Sequence, residues 1–438
     1  MEPVNSVNGD KPIKVALLGC GNVGYQVARL LLETPDDLAA RTGAPVELTG
    51  IGVRHPDAER PGIDPALFTG DSEGLARSGA DVVIEVIGGI EPARSLLLAA
   101  FESGASVVTA NKALLAAHGQ ELYAAAEKAG VDLYFEAAVA GAIPIIRPLR
   151  ESLVGDEITT VMGIVNGTTN FILDKMTTDH MSFSQALGEA QELGYAEADP
   201  TADVEGYDAA AKASILASLA FHTEVAGSDV HREGITTLTI EDIEAARAHG
   251  YVIKLLAVAT VAGDQEELVS VRVHPAMVPA AHPLASVRGA FNAIFVESRN
   301  AGQLMFLGPG AGGSPTASAV MGDLVTVARN RVKGTHGPAM STYRRRGIAP
   351  IEDAMTSYYV TMQVRDEPGV LAKVASVFAK HEVSILAVRQ TTDDDGHARL
   401  GIMTHIARDA EFTDTVSELR TMTSVVSGRI RLIRVEGR

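Results

Sequence analysis

The chain has 438 residues, 46% of them hydrophobic, and a formal net charge of −18. That length supports two or three domains with real cores, while the acidity argues against a nucleic-acid partner, which calls for a basic footprint. The lone cysteine, Cys20, excludes an intramolecular disulfide framework and a cysteine-based zinc cluster, and the absence of a run of about 18 apolar residues argues against a membrane span.

In chain order, the first twelve residues are polar and short, a flexible tail and not a signal peptide. Residues 13–24 read IKVALLGCGNVG: an apolar strand, then Gly19-x-Gly21-x-x-Gly24, then a helical run. A glycine motif between strand and helix is the context of a dinucleotide fingerprint. Gly19 allows the tight turn, Gly21 lets the backbone approach a pyrophosphate, and Gly24 lets helix and strand pack closely, with Asn22 and Val23 completing the loop. The helix start then faces the phosphate charge. Cys20 is read as a small packing residue of that loop, although the helix dipole there favours a lowered pKa.

The next strand is expected over Val46–Val53, followed by Arg54. An arginine at this place suits the 2′-phosphate of NADP, whereas NAD is normally held by Asp or Glu; Asp57 further on keeps NAD open. NADP is therefore favoured over NAD. Strands over Asp81–Ile87, Ser106–Thr109 and Asp132–Glu136 alternate with helices over Ala93–Ser103 and Ala113–Ala129. This is the pattern of a doubly wound parallel sheet. Ligands gather beyond the carboxyl ends of such strands, which brings Gly88, Gly89, Thr109, Asn111, Lys112 and Glu136 to the mouth of a site.

After Ile143 the pattern changes to an α+β one, with strands over Thr159–Gly167, Tyr251–Val261 and Leu268–Val273 and helices over Phe183–Leu193 and Gly206–Thr223. Within it, Ala209–Phe221 is apolar except for Lys212. A helix apolar all round is a buried helix. Asp208, four residues earlier, shares the lysine's face. An ion pair so placed points to chemistry, because buried charges are costly and usually functional or tightly paired. Residues 307–330 read as a glycine-rich turn entering an amphipathic helix that returns to the first sheet. A Pro/Arg-rich linker follows. From Tyr358 the order β-α-β-β-α-β, with an Asp393–Gly396 turn, is ferredoxin-like and reads as a separate small-ligand module.

These segments together resemble the homoserine dehydrogenase family, in its monofunctional form with a C-terminal ACT domain. GCGNVG, TANKALL, YFEAAVAGAIPII, NGTTNFIL, LGYAEADPTADVEGYDAAAK and GPGAGGSPTASAV carry the resemblance, which covers essentially everything from Ile13 onward. It implies an α/β fold: a Rossmann-type domain (13–143 and 308–336), an α+β substrate and dimerisation domain (144–307), a linker (337–357) and an ACT domain (358–438). It implies a cytoplasmic enzyme that reversibly reduces L-aspartate 4-semialdehyde to L-homoserine with NAD(P)H, as a homodimer or homotetramer, under threonine control through the ACT domain.

The resemblance also implies roles for individual residues. Lys212 exchanges the proton, Asp208 positions and polarises the reacting end, Glu197 holds the substrate amino group, and Lys112 touches cofactor and substrate. A monovalent cation, sodium, lies near Glu136 and the backbone carbonyls of Val139, Gly141 and Ile143. The family's pattern allows alanine at Gly141, and a carbonyl ligand would survive that exchange. Gly369, at the first strand-to-helix turn of the ACT domain, marks the place of an amino-acid effector.

Other classes find less support. An acyl-phosphate-forming semialdehyde dehydrogenase lacks its cysteine nucleophile. A metal hydrolase finds no H-E-x-x-H or similar spacing among the twelve histidines. A purely regulatory protein would have a decayed site, yet Lys112, Glu197, Asp208 and Lys212 are all present. Another amino-acid or hydroxy-acid dehydrogenase on the same fold is the remaining alternative.

Overall fold

The computed structural model describes residues 11–263, 267–339, 342–392 and 398–437. Most of the expected tail, residues 1–10, and the Asp393–Gly396 turn lie outside the described residues. The chain divides into two compact units. The first comprises residues 1–167, 208–230 and 290–346, and the second 168–207, 231–289 and 347–438.

The first unit is built on a six-stranded parallel sheet. Its order is Phe68–Thr69, Val46–Gly52, Ile13–Leu18, Val82–Glu85, Ser106–Thr109, Leu133–Tyr134. This is the doubly wound order, whose direction reverses between Ile13–Leu18 and Val82–Glu85 and leaves a crevice at the carboxyl ends there. The strands are apolar on both faces because helices cover both. Val15 and Leu17 meet Val27 and Leu31 of the Asn22–Glu33 helix and Val320, Leu324 and Val327 of the Gly313–Lys333 helix in one core. Gly313 is required at that contact, since a Cβ there would stand 2.8 Å from the Asn22 carbonyl oxygen.

The same unit holds three antiparallel strands in the order Gly302–Pro309, Phe291–Ser298, Ile158–Ile164. The sequence reading sees only a glycine-rich turn at 307–312 and misses the hairpin Phe291–Pro309. Its second strand carries Gly302, Gly308 and Pro309, punctuation that reads as loop. These strands and the helix from Asp208 group with the cofactor sheet, so the compact units cut across the domain bounds expected above.

In the second unit, Tyr251–Ala262 and Leu268–Pro279 form a long antiparallel ribbon. The last strand, Arg431–Val435, runs parallel to Leu268–Pro279 at Ala276 and Met277. Next to it come Met355–Val364, Ala398–Thr404 and Ile385–Thr392, all antiparallel. With helices Val370–Lys380 and Asp409–Thr421 this is the expected ferredoxin-like order, and one face of it packs a core of Val360, Met362, Phe378, Ile402 and Phe412. The tail joins what precedes it through backbone pairing. Its sheet continues into the ribbon, and Gly347–Ile348, inside the expected linker, pairs with Leu268 and Val269. Among the described residues no helix is long and apolar enough to cross a membrane.

Candidate active site

The glycine loop follows the first strand, and each glycine meets a different constraint. Gly19 has φ +102°, a region that side chains avoid. A Cβ at Gly24 would lie 2.1 Å from the Gly19 carbonyl oxygen. At Gly21 a Cβ would meet nothing within 4 Å, so the protein's own packing does not demand glycine there. The residue keeps open space ahead of the helix that starts at Asn22, where unpaired N–H groups face outward. Cys20 is half-buried in this loop. Burial raises its thiol pKa against the lowering effect of Arg60, opposite to the shift expected from the helix dipole.

Beyond the fourth strand, Glu85 is fully buried and organises the crevice floor. One carboxylate oxygen accepts from the N–H groups of Ile87 (2.7 Å) and Gly88 (3.0 Å), and the other accepts from the Thr109 hydroxyl at 2.6 Å. That hydroxyl in turn accepts from the Asn111 N–H (3.0 Å). The Thr109 side chain is therefore buried and already engaged. Asn111 caps the Lys112–Ala129 helix through the Leu114 N–H (3.1 Å) and donates to the Gly89 carbonyl (2.7 Å). These bonds fix where Lys112 leaves the helix start.

Lys112 reaches Asp208 Oδ1 at 2.6 Å. Asp208 Oδ2 accepts from Lys212 at 2.7 Å, and the same ammonium donates to the Val165 carbonyl at 2.7 Å. Asn166 Nδ2 donates to Asp208 Oδ2 at 2.9 Å. Burial disfavours the Asp208 carboxylate, but Lys212 and Lys112 outweigh it and hold the group well below the usual carboxylate range. One carboxylate thus lies between two cations, with Lys212 side-chain exposure at 10% and Lys112 at 42%. Asn166 and Val165 escape the sequence reading. They lie just past the strand Ile158–Ile164, and the only signal is Asn166 opening the NGTTNFIL segment.

A cleft of about 250 Å³ joins these parts. Val23 of the glycine-loop helix, Ile87, Asn111, Lys112, Gly141 and Lys212 line it. Arg54 is exposed directly after the second strand. Glu197 is exposed in the second unit, where its carbonyl accepts from Gln191 Nε2 (3.1 Å).

The expected cation loop is tightly held. The Glu136 carboxylate accepts from the N–H groups of Ile145 (2.6 Å), Ile146 (2.7 Å) and Arg147 (3.0 Å), which uses both oxygens. Asp323 accepts from the Glu136 N–H at 2.7 Å and from Arg147 Nη2 at 2.8 Å. Among the described residues, no loop or turn N–H is bonded to the carbonyls of Val139, Gly141 or Ile143. A hard monovalent cation suits such neutral oxygens, and the Glu136 side chain is held beside them by the three N–H groups. Gly141 has φ +56°, and a Cβ on it would stand 2.5 Å from the Gly310 carbonyl oxygen, so alanine does not fit this chain without a backbone shift.

Comparison with known proteins follows the same division. Residues 144–325 match the homoserine dehydrogenase family, 19–136 the homoserine dehydrogenase NAD-binding domain, and 358–422 the ACT domain. A homoserine dehydrogenase of Mycobacterium tuberculosis is 55% identical over 436 residues, 98% of each chain. The crystal structure of a homoserine dehydrogenase from Thiobacillus denitrificans superposes with TM-score 0.90 at 38% identity, covering 98% of this chain and 99% of that one. A hyperthermophilic archaeal homoserine dehydrogenase in complex with NADPH matches at TM-score 0.61 and 26% identity, over 75% of this chain and all of that one.

Proposed function

This chain belongs to the homoserine dehydrogenase family and is an NAD(P)-dependent oxidoreductase with an ACT domain, and from that premise we propose how its residues divide the work. The reaction is the reversible reduction of L-aspartate 4-semialdehyde to L-homoserine. The observation that carries the assignment is the cleft joining the glycine-loop helix to Lys212.

The nicotinamide cofactor, when bound, supplies or accepts the hydride. Gly19, Gly21, Asn22, Val23 and Gly24 receive its pyrophosphate, and Arg54 takes a 2′-phosphate, favouring NADP. Thr109 acts through the backbone it holds, since its hydroxyl is engaged with Glu85. Lys212 donates a proton to the substrate oxygen as negative charge develops there, and takes it back in the reverse direction. Asp208 fixes the direction of the Lys212 ammonium, with Val165 and Asn166 completing the hold. Lys112, more exposed and tied to the same carboxylate, turns toward the substrate carboxylate or the cofactor ribose. Glu197 binds the substrate amino group.

Sodium is held near Glu136 and the carbonyls of Val139, Gly141 and Ile143, with three backbone N–H groups on the Glu136 carboxylate shaping the loop. Threonine, bound at the Gly369 turn of paired tails, lowers activity. Gly369 has φ +87°, and a Cβ added there would meet no atom within 4 Å, which leaves the turn open to a ligand. The enzyme is cytoplasmic and works as a homodimer or homotetramer. The expected domain bounds are retained as the division of labour along the chain.

The test is loss of reduced-nicotinamide absorbance on adding aspartate 4-semialdehyde, with NADPH or NADH and with or without threonine. Turnover supports the reading. Its absence with both cofactors in folded protein would redirect the assignment to another amino-acid or hydroxy-acid substrate.

A further inference from the structure

The face of the ACT-domain sheet opposite its core has a composition at odds with the rest of this acidic chain. Strand alternation puts Tyr359, Thr361 and Gln363 there, since Val360, Met362 and Val364 point into the core. Register then lines up rows across the sheet. Arg431 stands opposite Thr361, Thr361 opposite Gly401, and Gly401 opposite Arg389. In the neighbouring row Gln363 stands opposite Arg399, and Arg399 opposite Thr391.

Two glycines keep this floor flat. A Cβ at Gly401 would lie 2.7 Å from the Tyr359 hydroxyl, and one at Gly428 would lie 2.5 Å from Gln363 Oε1. The Ile240–Ala248 helix and His249 wall one side, with the His249 ring 4.9 Å from that of Tyr359. The half-open cavity is about 440 Å³, and Arg389, Arg399, Arg429 and Arg431 all line it.

Four guanidinium groups around one cavity repel one another unless anions intervene. Asp242 neutralises Arg431 at 2.8 Å, and Arg389 leans on the Ala248 carbonyl at 3.5 Å. Among the described residues neither Arg399 nor Arg429 forms an ion pair with a carboxylate within 4 Å, although, after the Thr239 hydrogen bond, Arg431 and Arg399 help to hold the Glu241 carboxyl below its usual range. Planar guanidinium forks suit bidentate binding of oxyanions, phosphate above all. The volume matches a small-molecule site. Glu241 and Glu244 on the wall supply acceptors for hydroxyl or amino groups.

We propose that this face is a binding site for a phosphorylated small molecule, with Arg399 and Arg429 gripping its phosphate and the Ile240–Ala248 helix reading its remaining polar groups. It is separate from the Gly369 turn at the start of the Val370–Lys380 helix.

The experiment is isothermal titration of the full-length protein, saturated with NADP so that the glycine loop is occupied, with inorganic phosphate, pyrophosphate and chloride at matched ionic strength. Saturable pyrophosphate binding that falls at least about tenfold in Arg399→Ala/Arg429→Ala is the expected result. Both side chains are exposed, so the variant keeps its fold, which circular dichroism checks. Binding by phosphate but not pyrophosphate, undiminished in the variant, would mean an adventitious ion only and overturn the proposal. So would no saturable binding, or a variant whose sole change is a smaller assembly in sedimentation, because the face would then belong to a second copy.

Discussion

Lys212 and Asp208 lie one helical turn apart and meet at 2.7 Å, inside a helix whose other buried residues carry no charge. Such a pair has no solvent to fall back on. Removing one member leaves the other uncompensated, a loss on the order of 3–5 kcal/mol for a buried pair. Here Lys112 shares Asp208, so loss of Lys212 is the milder change and loss of Asp208 the harsher one. Lys212→Met is expected to lower kcat by about 100- to 10,000-fold while NADP still binds. Nicotinamide fluorescence titration beside steady-state rates checks this, and near-normal turnover in the variant would remove Lys212 from proton transfer.

Arg54 stands exposed just past the second strand, with no salt bridge among the described residues. A charge-assisted bond to a 2′-phosphate contributes about 1.5–3 kcal/mol. Arg54→Ala is therefore expected to cut the NADP-to-NAD ratio of kcat/KM by roughly ten- to a hundredfold. An unchanged ratio would show that the specificity is set elsewhere.

Asp323 gives a pH dependence with a definite sign. Full burial pushes its carboxyl up from 3.8 to about 7, against the lowering effect of Arg147. Between those values the folded protein binds the proton more tightly than the unfolded chain does. Stability should therefore fall as pH rises from about 4 to about 7, by at most about 1.4 kcal/mol per pH unit from this group. In Asp323→Asn that contribution disappears. Urea unfolding of both proteins across this window measures the difference, and parallel curves would refute it.

Glu436 has the opposite sign. Burial acts to raise its pKa, but Arg272 and His274 prevail and bring the carboxyl down from 4.5 to about 2. Its stabilisation is present above about 4.5 and is lost as pH falls toward about 2. Glu436→Gln leaves Arg272, 3% exposed, without its carboxylate. A loss of about 3 kcal/mol near neutral pH is expected, shrinking in acid. Denaturation midpoints at two pH values check it; an equal loss at both would contradict the ionic account.

The parts of the site that were legible in the sequence are those held by local rules. The glycine loop announces itself through the turn and packing needs of Gly19 and Gly24, and Lys212 stands out as the single charge in an apolar helix. What stayed hidden depends on approach between distant segments. Asn166 comes to Asp208 and the Val165 carbonyl to Lys212 from a strand end some forty residues earlier in the chain, and nothing local marks a carbonyl as an acceptor. Glu136 reads in the sequence as a carboxylate at the mouth of the site; only the fold reveals that three N–H groups bond to its two oxygens. In the tail, two-residue pairings such as Gly347–Ile348 have no periodicity to read, so a paired segment resembled a linker.

The pairing of Arg431–Val435 with Ala276 and Met277 has a consequence for how the chain is made. A growing polypeptide presents Leu268–Pro279 long before Arg431–Val435 leaves the ribosome, so Ala276 and Met277 wait without their parallel partner and Arg272 without Glu436. Chains ended before Arg431 stay in that condition. Proteolytic quality control should therefore discriminate sharply between a chain that carries Arg431–Val435 and one ended just before Arg431.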